Sequence, residues 1–113
     1  MHYFRLINEK ESKEIIPGFF ARFVHTENVT LVFWEARAGS TFPEHAHPHE
    51  QISTIQKRKF QLTINGETQI LEEGVAAVTP SNIRHSGIAL TDCKLIDVFY
   101  PVREDYKNRE CEF

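Results

Sequence analysis

From residue 19 onward, apolar side chains recur at every second position in short runs, and each run is closed by turn-forming residues. Residues 19–25 and 29–37 are rich in β-branched and aromatic types, with the polar Thr26-Glu27-Asn28 between them as a hairpin turn. Residues 52–56, 59–65, 68–71, 75–79, 88–90 and 94–100 continue the series. Phe60, Leu62 and Ile64 make one apolar face. Asn65-Gly66 is the strongest short hairpin signal in the chain, and Glu72-Glu73-Gly74 is a further turn. Many short strands at close intervals predict an all-β sandwich or barrel rather than βαβ units. Before them, residues 3–7 read as a short strand and residues 9–16 as a helical turn or loop ended by Pro17-Gly18. The polar tail, 104–112, is expected to form a last helical turn or to stay loose.

The strand expected at 29–37 is apolar on both faces: Val29, Leu31 and Phe33 on one, Val32, Trp34 and Ala36 on the other. One face can line a barrel. The other needs covering by a second sheet or another subunit, and a homodimer is the expected state.

At 113 residues, with no internal repeat or linker-like stretch, the chain reads as a single domain, 1–113. A net charge of -3 gives no electrostatic reason to expect nucleic acid, and the short basic run Lys57-Arg58-Lys59 reads as a solvated turn. No apolar stretch is long enough to span a bilayer and the first residues have no signal-peptide pattern, so no membrane is expected and the compartment is read as cytoplasmic. Cys93 and Cys111 lack paired spacing, which fits a reducing compartment, and neither looks like a nucleophile.

Chemistry gathers in residues 39–51, G-S-T-F-P-E-H-A-H-P-H-E-Q, which hold half of the six histidines. Residues two apart on an extended chain share a face, so His45 and His47 can converge on one ion. Gln51 keeps that parity if the strand continues, and its amide oxygen is a neutral ligand. His85 follows G-V-A-A-V-T-P-S-N-I-R, a turn, a short strand and a proline-led turn, and can complete the site. His49 reads as a rim residue beside it, with Glu44 and Glu50 facing solvent. Asp97 shares parity with Leu95 and Phe99. A carboxylate on a barrel-lining face must be paired, lie near a cation or take up a proton, and a structural ion pair with Arg84 or Arg103 is one outcome.

Gly39, five residues, His45-x-His47, three residues and Gln51 resemble the first cupin motif. Gly74, five residues, Pro80-x-Asn82, two residues and His85 resemble the second. Gln51 replaces the usual glutamate, Arg58 a closing glycine, Asn82 a middle glycine and Ala89 a trailing asparagine. Over nearly the whole chain, H-A-H-P-H-E-Q at 45–51, L-T-I-N-G-E at 62–67, N-I-R-H-S-G at 82–87 and L-I-D-V-F-Y-P-V-R-E-D at 95–105 resemble the single-domain KdgF-type cupins, the pectin degradation proteins. The resemblance implies a double-stranded β-helix, or jelly-roll barrel. It implies one divalent metal ion (Zn, Ni, Mn or Fe) held by His45, His47, Gln51 and His85. It also implies metal-dependent opening of 4,5-unsaturated uronates, from pectin or alginate breakdown, to linear 4-deoxy-5-keto-uronates. The family's D-x-F-x3-R segment falls on Asp97, Phe99 and Arg103, which the resemblance places at the active site. A neutral fourth ligand leaves the ion's charge free to attract an anionic substrate. The alternatives are an iron-dependent cupin dioxygenase and a non-catalytic sugar-binding cupin.

Overall fold

The computed structural model describes residues 3–111. Ten strands dominate these residues: β1 (Lys13–Ile16), β2 (Phe19–His25), β3 (Thr30–Ala36), β4 (Thr41–His45), β5 (Glu50–Lys57), β6 (Phe60–Ile64), β7 (Glu67–Leu71), β8 (Ala76–Thr79), β9 (His85–Ala89) and β10 (Cys93–Tyr100). One helix, α1 (Glu104–Cys111), follows. All strand pairs are antiparallel. They form a six-stranded sheet in the order β1-β2-β3-β10-β5-β8 and a four-stranded sheet in the order β4-β9-β6-β7, a jelly-roll arrangement.

The alternation in sequence becomes an alternation of burial. Along β3, Thr30, Val32, Trp34 and Ala36 are buried while Leu31, Phe33 and Glu35 are half-buried. β10 repeats this with Cys93, Leu95, Asp97 and Phe99 turned inward. Between the sheets the core is aromatic at one end: Phe19 meets Trp34, Phe42 and Phe60 edge-on, with ring centroids 5.1–6.1 Å apart. Full burial of a phenylalanine such as Phe19, Phe23 or Phe99 stabilises the fold by about 1.5–3 kcal/mol relative to exposure. Within the four-stranded sheet the Phe60 side chain of β6 lies over Gly87 of the neighbouring β9. A Cβ there would come within 2.2 Å of the Phe60 ring, so glycine is what lets β9 lie against that side chain.

The amino-terminal expectations are corrected. Residues 3–6 form no strand, and Tyr3, Phe4 and Leu6 are exposed. The apolar run pairs with no strand and buries no face; a single 3-10 turn, Ile7–Glu9, follows it. Instead of a helical turn or loop, residues 13–16 are a strand, because the turn at Pro17-Gly18 folds them back onto β2 with Lys13 opposite Ala21. The tail to residue 111 is an eight-residue helix; Glu112 lies outside the described residues.

Arg58 and Asn82, which replace motif glycines, keep the left-handed backbone, with φ of 68° and 63°. That conformation costs a non-glycine residue roughly 1–2 kcal/mol, and glycine's own loss of chain entropy offsets about half of it. Arg58→Gly is therefore expected to stabilise the protein by ~0.5–1 kcal/mol, raising Tm in thermal denaturation by a few degrees. An unchanged or lower Tm would mean that the arginine side chain contributes more than its backbone costs.

Candidate functional site

Each sheet delivers part of the site. His45 ends β4 and His85 begins β9, and their Cα atoms are register partners on the four-stranded sheet. Gln51 is the second residue of β5, on the six-stranded sheet. His47 lies in the connection that crosses between the sheets, so continuous strand parity does not place it. The connection itself is tied down where the Asn82 N–H donates to the His47 carbonyl at 2.7 Å, joining the two motif loops.

The three rings sit with centroids 4.1 Å (His45 to His85), 4.8 Å (His47 to His85) and 5.6 Å (His45 to His47) apart, and one potential ligand atom from each lies within 4.8 Å of the others. In every ring Nδ1 is paired with a backbone carbonyl: Pro43 at 2.7 Å for His45, His49 at 3.0 Å for His47 and Ile83 at 2.9 Å for His85. A carbonyl only accepts, so each neutral ring carries its proton on Nδ1 and leaves a lone pair on Nε2. Burial, above all, keeps the rings neutral: it lowers the pKa of all three, that of His47 to about 4, and the Arg103 charge pushes the same way. His85 Nε2 is buried without a partner, and His47 Nε2 faces the Gln51 side-chain oxygen at 3.1 Å. Buried lone pairs facing one another and an amide oxygen are a donor set suited to a divalent cation. Three histidines are thus placed to bind a metal. The Gln51 oxygen is positioned to be a fourth donor, and its amide nitrogen donates to Ser53 Oγ at 3.0 Å, fixing the side chain.

His49 contributes its carbonyl to His47, while its ring packs against His47 and Phe99. Glu44 and Glu50 face solvent, Glu44 paired with Arg84 at 3.0 Å.

Asp97, inward on β10, lies in the same chamber as His45, His85, Gln51 and Phe99. It makes no ion pair with Arg84, which binds Glu44, or with Arg103, which binds Asp105 at 2.7 Å. Its Oδ2 instead accepts from Trp34 Nε1 at 2.9 Å, with Ser53 and Gln51 adding hydrogen bonds. Burial raises its pKa above the usual carboxylate range despite these donors and the nearby Arg103 charge. Arg103 is itself buried, its guanidinium carbon 4.7 Å from the centroid of the Phe99 ring and 3.9 Å from that of Tyr106. Its Nη1 has no partner. Sequence reasoning missed Trp34, Ser53, Asp105 and Tyr106. The parity of Trp34 with Val32 and of Ser53 with Gln51 was the available signal for the first two.

Cys93 is a buried free thiol whose pKa burial pushes up to about 11, as expected for a residue that is not a nucleophile. The Cys111 side chain lies outside the described residues. No described helix is long and apolar enough to cross a membrane.

Residues 32–99 match the cupin domain family. The chain is 30% identical over 83 residues to the pectin degradation protein KdgF of Dickeya dadantii, covering 72% of this chain and 76% of that one. Its structure is similar to that of KdgF from Halomonas sp., with a TM-score of 0.88 and 28% identity over 94% of this chain and 99% of the other. It matches an RmlC-like cupin from Shewanella frigidimarina equally well, at TM-score 0.88 and 25% identity over 94% and 96% of the two chains. The salicylate 1,2-dioxygenase of Pseudoaminobacter salicylatoxidans shares the fold at TM-score 0.72 and 22% identity, across 76% of this chain and 28% of that one.

Proposed function

The chain belongs to the cupin family and is a homologue of the KdgF pectin degradation proteins, and we propose that it opens the ring of 4,5-unsaturated uronates to give linear 4-deoxy-5-keto-uronates. One juxtaposition supports this above all. The buried Asp97 carboxyl lines one chamber with His45 and His85 of the three-imidazole cluster, and the unpartnered Nη1 belongs to buried Arg103, whose guanidinium packs on the Phe99 ring of that chamber, so a proton-transfer group, an anion anchor and a cation site lie close together.

His45, His47, His85 and Gln51 would hold a divalent ion, which would supply Lewis acidity where an oxygen becomes negative. The rest falls to the chain. Arg103 takes the uronate carboxylate through its free N–H groups. The C1 hydroxyl then loses its proton, the bond between C1 and the ring oxygen breaks with its electron pair going to that oxygen, and the resulting enolate takes a proton at C4. Asp97 carries the proton, and burial keeps that proton available at higher pH than on an ordinary carboxyl. Phe99 walls the sugar, edge-on to His47 at 5.5 Å. The product is an isomer of the substrate. The test is to run the reaction in D₂O: a product of the substrate's composition carrying one deuteron at C4, formed without oxygen uptake, is expected. Iron-dependent oxygen uptake would indicate a dioxygenase, and tight uronate binding without turnover a sugar-binding cupin.

The protein works, in this reading, as a cytoplasmic homodimer. Across the outer face of the six-stranded sheet, register lines up Val24, Leu31, Val98, Ile52 and Val78 in one apolar row, with Ile52 and Val78 46% and 59% exposed. Lysine at both Ile52 and Val78 is expected to convert a dimer into a folded monomer by light scattering; a wild-type monomer would rule the dimer out.

A further inference from the structure

Arg103 is held by its own neighbours in sequence. Asp105, in the first turn of α1, accepts Nε–H at 2.9 Å and Nη2–H at 2.7 Å. The Tyr106 ring centroid lies 3.9 Å from the guanidinium carbon and that of Phe99 4.7 Å from it. The Arg103 backbone N–H donates to Thr30 Oγ1 at 2.8 Å, anchoring the segment to β3. A guanidinium has five N–H donors in a planar fork, and Asp105 uses two along one edge. One hydrogen on Nη2 and both on Nη1 remain, and the Nη1–Nη2 end of the fork has the spacing of a carboxylate's two oxygens. Nη1 is buried without a partner. The Phe99 ring, which the guanidinium covers, has its centroid 5.5 Å from that of His47, and this places Arg103 beside the three-imidazole cluster.

We infer that Asp105 is a positioning residue: it clamps one edge of Arg103 so that the Nη1–Nη2 edge is presented, fixed in direction, to the substrate carboxylate. This rests on the uronate reading above and deepens it by assigning the carboxylate its anchor. Asp105 is itself largely exposed, so it acts through Arg103 and does not touch the sugar. The side-on edge taken by Asp105 and the end-on edge left for substrate together need a planar fork, which lysine lacks.

The experiment compares Asp105→Asn and Asp105→Glu with the parent, using the metal-loaded protein. Two readouts are taken: kcat and KM for the unsaturated monouronate, and calorimetric binding of saturated D-galacturonate, which has the carboxylate but cannot react. For Asp105→Asn we expect KM to rise and galacturonate affinity to fall by roughly tenfold, since a loosened anchor misplaces the substrate. We expect kcat to change less, and Asp105→Glu to recover most of the loss. The inference is overturned if Asp105→Asn binds galacturonate like the parent, if only Tm or kcat responds, or if the parent binds no galacturonate. If the parent fails to turn over the unsaturated sugar while Asp105→Asn still loses galacturonate affinity, the proposed reaction falls and the positioning role stands.

Discussion

Replacing Asp97 by asparagine is expected to lower kcat for uronate opening by roughly 10²- to 10⁴-fold, the range associated with loss of a positioned acid or base. The amide can still accept the Trp34 Nε1 hydrogen bond, so the side chain stays in place while its proton-carrying ability goes. Metal content should be unchanged. Stability should move the other way. A carboxyl whose pKa is raised on folding binds its proton more tightly in the native state than in the unfolded chain. The native state therefore loses stability as pH climbs from the ordinary aspartate range through the folded pKa, and that loss persists at neutral pH. Asp97→Asn removes it, so the metal-free variant should melt at a higher temperature than the metal-free parent at neutral pH. A less active but more stable protein is the signature of a buried functional acid. A variant as fast as the parent would remove Asp97 from the mechanism.

Replacing His85 by alanine is expected to abolish turnover through loss of the ion, with metal affinity falling by more than ~100-fold. His85 is buried, and its Nε2 has no hydrogen-bond partner in the protein, so in the metal-free chain it contributes an unsatisfied polar atom. Two thermal melts separate the effects. Adding the metal at about 100 times its Kd should stabilise the parent by about 2.7 kcal/mol and leave His85→Ala unmoved. Without metal the two proteins should melt within a few degrees of each other. A variant that is strongly destabilised without metal, or that still gains Tm from it, would mean that the histidine is structural.

The three-histidine cluster was legible because it depends on local spacing. Gly39 and Gly74 each turn the chain six positions before the next fixed point of the motif, and strand alternation then turns Gln51 and Asp97 inward. His47 was legible for a different reason than parity. It sits in the crossing loop and is held through its carbonyl by Asn82, a tertiary contact that no periodicity announces. The setting of Arg103 was half legible. The residue was singled out by resemblance, with an ion pair to Asp97 as one possible outcome; the carboxylate it binds is that of Asp105. Helix α1 carries Tyr106 as its buried aromatic, too little apolar pattern to mark an amphipathic helix. Its place is set by Tyr106 packing against Phe23, Trp34 and Phe99, contacts made across the fold. At the other end, residues 3–7 have the composition of a strand but pair with none. The Lys13–Ile16 strand is only four residues long and exists because β2 returns beside it.

The most direct test follows the alkene absorbance of an unsaturated monouronate with metal-loaded protein, with protein stripped by a chelator, and with the stripped protein reloaded. The account predicts rapid loss of absorbance in the first, only the uncatalysed rate in the second and recovery in the third. Stripped protein that opens the sugar as fast as the loaded form, or loaded protein that leaves the alkene intact, would contradict it.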